Sequence, residues 1–241
     1  MVVFAPVPLM LKRKRLTKRK TLLSWSSGKD SAWALHLLQQ DPSIELVGLF
    51  TLIEQKHNRA SMHDTRIEML QHQADAAGLP LELVVLPDEC SNEQYDAIMQ
   101  AYIASAARNR VECMAFGDLF VSEIRQYRER QLQGSGISPL FPLWGMCTRY
   151  LVETMLAAGL HAHISSVDLN KLPAHLAGKR WSKDVIAGFP DGCHPCGENG
   201  EIHTVVVAGP MFNKPIPVSV GAVIERDGFA YADIIPQGLG V

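Results

Sequence analysis

No window of the chain reaches the roughly 18 uncharged apolar residues that a membrane span needs, so no bilayer-crossing helix is expected. Cysteine is sparse and poorly paired. Cys90, Cys113, Cys147, Cys193 and Cys196 are odd in number and mostly scattered, unlike a disulfide framework, and a reducing, cytoplasmic setting is expected. Cys-x-x-Cys occurs at Cys193 and Cys196 without a second such pair, which leaves Cys193, Cys196 and His203 a weak zinc set. Acidic residues are missing from the first twenty positions, where Lys12, Arg13, Lys14, Arg15, Lys18, Arg19 and Lys20 place seven positive charges. Such an arm can hold nucleic acid or an acidic membrane surface; it is read here as a solvated leader, or as residues ahead of a start at Met10. Its apolar residues precede the charges, the reverse of the order in a secretory signal.

What remains is an ordinary globular composition: 241 residues, 47% hydrophobic and 20% charged, enough for one sizeable core and a smaller appended unit. Strand-like apolar runs at 21–24, 46–52, 81–86, 114–116, 140–144 and 161–167 alternate with helical periods at 62–77, 93–107, 123–132 and 148–158. This alternation predicts an α/β fold with a parallel sheet covered on both faces, whose ligands bind beyond the strand carboxyl ends. After about Asp168 the pattern changes. Pro173, Gly178, Gly188 and Pro190 break the chain, and β-rich runs follow at 202–207, 217–224 and 229–235, with Asp227-Gly228 as a hairpin signal between the last two. Three segments result: a basic arm at 1–20, an α/β domain at 21–168 and a small, mainly β C-terminal unit at 169–241.

The stretch Ser26-Ser27-Gly28-Lys29-Asp30-Ser31 lies between the first strand run and a helical run. A strand that turns through small residues into a helix aims free N–H groups and the positive end of the helix dipole at one point, where an anion can sit, and Lys29 adds a full charge. A Walker A loop would need Gly at position 23 and Ser or Thr at position 30; Leu23 and Asp30 exclude it. The stretch resembles instead the pyrophosphate-binding loop of the ATP pyrophosphatases, usually Ser-Gly-Gly-Lys-Asp-Ser. Ser27 stands where that pattern has Gly, which narrows the backbone angles available.

A second unusual stretch runs from Asp191 to Thr204, where Gly192, Pro195, Gly197 and Gly200 specify a tight backbone around Glu198, Glu201, His203 and Thr204. Gly197-Glu198-Asn199-Gly200-Glu201-Ile202-His203-Thr204 resembles the Gly-Glu-x-Gly-Glu-x-x-Thr signature of the diphthine–ammonia ligase family. Gly117-Asp118-Leu119-Phe120, Arg125, Tyr127-Arg128-Glu129, Pro142-Leu143-Trp144-Gly145 and Gly209-Pro210-Met211-Phe212 match further family segments. Cys196 ahead of the signature is similar to a branch whose substrate is uncertain and for which a role in cobalamin salvage has been proposed; that branch commonly has Asp where this chain has His194.

The resemblance implies a Rossmann-like sheet of the adenine nucleotide alpha hydrolase type with a C-terminal substrate-binding subdomain. It implies ATP and magnesium as cofactors, ammonia and a carboxylate as partners, and adenylation of that carboxylate followed by amide formation. The acceptor would be protein-borne diphthine or a small molecule such as a corrinoid; neither a membrane nor a nucleic-acid partner is expected, and a homodimer is allowed. Ser26, Ser27, Gly28, Lys29, Asp30, Ser31, Gly117 and Asp118 would hold the nucleotide, with Asp30 a metal ligand or only a dipole-favoured first-turn acid. Lys29, Asp30, Glu198 and Glu201 would be catalytic. His63, Arg125, Arg128, Glu198, Asn199, Glu201, His203 and Thr204 would meet the substrate, although Arg125 and Arg128 also read as a solvated helix face with Glu123 and Glu129. Two rivals remain: a tRNA-thiolating enzyme with the same loop, against which stands the lack of paired cysteine clusters and of an RNA-binding domain, and a nucleotide sensor without turnover.

Overall fold

The computed structural model describes residues 17–54, 59–60 and 65–238. Most of the basic arm, the segment carrying His57, and Met62, His63 and Asp64 lie outside them. The first sheet is built from β1 (Arg19–Ser24), β2 (Ile44–Glu54), β4 (Leu81–Leu86), β5 (Cys113–Ala115) and β6 (Ser138–Leu140), all parallel in the order β4-β2-β1-β5-β6. A two-residue β3 (Arg59–Ala60) runs antiparallel to β2. Between them come α1 (Lys29–Gln40), α2 (Ile67–Ala77), α3 (Asn92–Arg108) and α4 (Ser122–Leu132).

Side chains of adjacent strand residues point to opposite faces, and the core divides accordingly. Leu22, Phe50 and Met114 pack with Met99 and Ile103 of α3 and Leu132 of α4. Their neighbours Leu23, Leu49 and Ala115 pack on the other side with Trp33 and Leu35 of α1 and Met69 and Leu70 of α2. A buried side chain of this size contributes about 1.5–3 kcal/mol, so each strand is held from both sides and must read as a continuous apolar run. The strand order reverses at β1, which pairs with β2 on one side and β5 on the other. Its carboxyl end is therefore the topological switch point of the sheet, and the loop at Ser26–Ser31 begins there.

Three expectations are corrected. The run at 140–144 is strand only through Leu140; Pro142 and Gly145 (φ 74°) turn the chain, and the Trp144 N–H donates to the Phe141 carbonyl. The helix expected at 62–77 begins at Ile67, because Arg66 sits in extended backbone bridged to Arg59. The run at 161–167 forms β7 (His161–Asp168), but β7 does not join the parallel sheet. Following α5 (Thr148–Ala157), it pairs antiparallel with β8 (Ile202–Ala208) and β10 (Phe229–Pro236), and β9 (Val218–Arg226) completes a second sheet in the order β8-β7-β10-β9. Apolar periodicity marks a strand without naming its partners. The hairpin between β9 and β10 turns through Asp227 (φ 53°) and Gly228 (φ 81°), both left-handed as a two-residue hairpin loop requires. Residues 169–201 are mostly irregular, with one 3₁₀ turn (Ala174–Leu176) and the short α6 (Lys183–Ala187).

Candidate active site

Gly28 caps α1 in extended backbone, and the first intrahelical bond runs from the Ala32 N–H to its carbonyl. The N–H groups that begin the helix are left pointing out of its end. That of Lys29 donates to Thr204 Oγ1 (3.1 Å), while those of Asp30 and Ser31, in the first turn, have no preceding helical turn to accept from them. The loop hydroxyls brace one another: Ser26 Oγ donates to Ser31 Oγ (3.1 Å), and Ser31 Oγ to the Gly28 carbonyl (3.0 Å). Ser27 lies in the left-handed region at φ 70°, the angle its departure from glycine makes costly, on the order of 1 kcal/mol. It is fully buried, its hydroxyl 2.8 Å from Thr65 Oγ1 and its carbonyl accepting from the Val206 N–H (2.9 Å). Gly28 and Gly117 are needed for close approach: a Cβ at Gly28 would meet the Thr204 carbonyl at 3.2 Å, and one at Gly117 would meet the Ser31 nitrogen at 2.9 Å.

A cavity of about 510 Å³ opens over this helix end. Ser26, Gly28, Lys29, Asp30 and Ser31 form its floor, Gly117, Asp118 and Arg128 one wall, and Cys196, Gly197, Glu198, His203 and Thr204 the facing wall. The first wall comes from the carboxyl end of β5 and from α4, the second from the loop into β8, so both sheets contribute.

Lys29 is 3% exposed, its Nζ 2.7 Å from Asp30 Oδ2 and 5.9 Å over the Trp181 ring. Burial alone would lower its pKa, but the surrounding charges, Asp30 foremost, outweigh burial and raise it, so it is a fixed cation. Asp30 Oδ1, Asp118 Oδ2 and Arg128 Nε are buried without hydrogen-bond partners, although Arg128 Nε lies 4.0 Å from Asp118 Oδ2. Burial also raises the Asp118 carboxyl, against the pull of Arg128. Buried polar groups without a protein partner in a polar cavity take one from water, an ion or a ligand. Burial, with the Asp30 charge behind it, pushes Glu198 up to about 7. His203 is pushed down to about 4 by burial and Lys29, so its imidazole is neutral at neutral pH.

Not every expected residue reaches the cavity. Glu201 turns into its own loop, where its carboxylate accepts from the His194 N–H (2.9 Å), the Asn199 N–H (2.9 Å) and Asn199 Nδ2 (3.0 Å); Asn199 is consumed by the same contacts. Arg125 pairs with Glu129 at 2.8 Å and stacks over Phe141 and Trp144, outside the lining of the cavity, whereas Arg128 lies over Phe116 and lines it. His63 lies outside the described residues. Among those described, no three His, Cys, Asp or Glu side chains are grouped to hold a metal; Cys196 Sγ faces the Thr148 carbonyl and is raised to about 12 by burial, while Cys193 Sγ faces that of Lys171. Trp181, whose ring lies under Lys29, and Phe229, Ile124 and Phe116 on the cavity wall carried no motif that could have announced them.

Fold and site together define an α/β protein with a lysine-bearing loop and helix N-terminus at its switch point, and an antiparallel unit that contributes a wall of the cavity above them. The profile of the diphthamide synthase N-terminal domain matches residues 19–139 and that of the diphthamide synthase C-terminal domain residues 148–234, so the chain belongs to the diphthamide synthase family. It is 20% identical over 183 residues to the diphthine–ammonia ligase of Rattus norvegicus, and 20% identical over 186 residues to that of Mus musculus. Each alignment covers 74% of this chain and 68% of the relative. No described helix is long and apolar enough to cross a membrane.

Proposed function

We propose that the cavity binds ATP with its phosphates on the Ser26–Ser31 loop and that the protein is an AMP-forming amide ligase of the diphthine–ammonia ligase kind. The observation that carries this reading is a buried Lys29, held charged by its surroundings, in the first turn of α1 at the floor of the cavity, with Arg128 Nε unpartnered in the cavity wall. These donors suit a polyanion.

In the proposed reaction an acceptor carboxylate oxygen attacks the α phosphorus. The bond from that phosphorus to the bridging oxygen breaks, and pyrophosphate departs. Lys29 and the loop N–H groups offset the charge that develops on it, and the fixed loop supplies them without reorganisation. Ammonia then attacks the activated carbonyl carbon, AMP leaves, and the proton lost by nitrogen passes to Glu198, whose pKa of about 7 suits a base at neutral pH. Asp30 and Asp118 fit magnesium: both are oxygen ligands with a buried, unpartnered oxygen, and magnesium commonly takes one or two carboxylates with substrate phosphates and water. Magnesium bound there would neutralise phosphate charge. Thr204 positions the loop through the Lys29 N–H. Cys196, a buried thiol raised to about 12, is unsuited to carry sulfur as a thiolate, which favours amide formation over tRNA thiolation.

The test is product analysis of α-labelled ATP with magnesium, with and without ammonium, across carboxylates including diphthine-bearing elongation factor and corrinoid acids. AMP that appears only when one acid and ammonium are both present supports the ligase and identifies the acceptor. ADP formation would overturn the α-phosphate mechanism, and ATP bound but intact throughout would favour a sensor.

A further inference from the structure

Gln73, on α2, belongs to no motif and does not line the cavity, yet it is fully buried behind the anion-binding loop with both ends of its amide in use. Its Oε1 accepts from Trp25 Nε1 (2.9 Å), and its Nε2 donates to the carbonyls of Ser27 (3.0 Å) and Val206 (2.7 Å). The indole N–H can only donate, which assigns the amide oxygen to that side and leaves the NH₂ group facing the two carbonyls. The Ser27 carbonyl is thus held inward by two donors, Gln73 Nε2 and the Val206 N–H. In a planar trans peptide the carbonyl and the following N–H point in opposite directions. An inward Ser27 carbonyl therefore turns the Gly28 N–H outward, toward the cavity that Gly28 lines; its contact within the loop is a long 3.4 Å one to Ser26 Oγ.

We propose that Gln73 is a positioning residue for the anion-binding loop: it holds Ser27 in the left-handed conformation and so aims the Gly28 N–H at a bound phosphate. The inference rests on the reading of the loop as a phosphate site. Without the Gln73 donor, Ser27 has a reason to relax to negative φ, since a non-glycine residue is strained at 70°. That relaxation would rotate the peptide and withdraw the N–H. A glycine at position 27 visits positive φ as readily as negative and would not need the restraint.

The experiment measures magnesium-ATP and inorganic pyrophosphate affinity by calorimetry, together with the thermal midpoint, for the full chain, Gln73→Met, Ser27→Gly and the double variant. Gln73→Met is expected to bind both probes about tenfold more weakly, the equivalent of one lost hydrogen bond to a charged group. In the double variant affinity should return to within about threefold of the parent, while the thermal midpoint stays lowered, because the Trp25 indole and the Val206 carbonyl remain without Gln73. Unchanged affinity in Gln73→Met, or no recovery in the double variant, would overturn the proposal. Should Gln73→Met fail to fold, Trp25→Phe frees the amide to rotate; about threefold weaker binding, recovered by Ser27→Gly, supports the proposal, and unchanged binding overturns it. Failure of the unaltered chain to bind either probe is a separate result, which removes the phosphate-site reading itself.

Discussion

The floor of the cavity and one of its walls are held by different means. The Ser26–Ser31 loop, braced by its own hydroxyls, is also gripped along its backbone from outside, by Thr204, Val206 and Gln73 of β8 and α2. The loop from Cys193 to Glu201 meets outside partners such as Lys171 and Trp181, but its turns gather around a carboxylate of its own, that of Glu201. The first arrangement leaves a charged side chain, Lys29, in the cavity with two contacts of its own, the Asp30 carboxylate and the Trp181 ring. The second spends one glutamate on the loop and releases the other, Glu198, into the cavity. The lesson is that two glutamates three residues apart in one motif hold opposite roles, one as scaffold and one as candidate chemistry, and their burial and partners decide which.

Lys29→Ala should have the largest effect. Among the described residues Lys29 alone of the lysines lines the cavity; its loss removes the donor that the proposed reaction aims at the departing phosphate, and a loss of about 10²–10³-fold in ATP-dependent turnover is expected. Steady-state AMP formation checks this, and a loss below tenfold would show that the loop N–H groups suffice alone. Next comes Glu201→Ala, which strips three donors of their acceptor. The expected cost is about 3 kcal/mol of stability, read from the denaturation midpoint. Glu198→Gln should leave that midpoint nearly unchanged below about pH 4.5, where Glu198 is neutral, while impairing turnover at neutral pH. If the two variants behave alike, the division between scaffold and chemistry is wrong.

The arginines of α4 sharpen the same contrast at smaller scale. Arg128→Ala should weaken ATP binding about tenfold, because an unpartnered guanidinium nitrogen in the cavity wall is lost. Arg125→Ala should leave affinity within about twofold and instead cost about 0.5–1 kcal/mol of stability through its lost stacking on Phe141 and Trp144. Titration calorimetry and thermal melts on both variants separate the two outcomes.

Much of this was legible in the sequence, and the failures have physical reasons. Helices α3, α4 and α5 fall within one residue of their expected bounds, since an apolar stripe facing a sheet repeats at the helical period. The loop at Ser26–Ser31 announced itself by residue type, because small residues and a lysine at a strand-to-helix turn have few other uses. β7 was read as a strand but placed in the wrong sheet: pairing is set by tertiary neighbours that a local pattern does not contain. Arg125 and Arg128 are three apart and both lie over aromatic rings, yet the rings differ: Phe116 lines the cavity, and Phe141 and Trp144 do not. Gln73 and Trp181 were silent because a single buried amide or indole has no periodic or motif context; their signal is the partner each one meets.

The finest test of the contrast is pH. Burial raises Glu198 to about 7 from an ordinary 4.5, with Asp30, Asp118 and Glu201 opposing its ionisation and Lys29 favouring it. A carboxyl raised on folding is stabilising while neutral: that contribution is fully present below about 4.5 and is lost as the pH rises through 7. Glu198→Gln should therefore gain stability relative to the parent between pH 5 and 7 and hold that gain above it. Glu201, whose carboxylate is stabilised by three donors that outweigh its burial, runs the other way: its contribution is present above its ordinary pKa and fades only in acid. The same sign reaches function. A neutral Glu198 places less negative charge beside a triphosphate, so ATP affinity should fall on the order of fivefold from pH 6 to 8, and this slope should vanish in Glu198→Gln once the titration of ATP itself is subtracted. Turnover with saturating ATP should rise over the same interval, because the ionised form is the one that can take a proton from nitrogen. Affinity and turnover moving together with pH would mean that Glu198 acts only as a charge near the phosphates and that the base lies elsewhere.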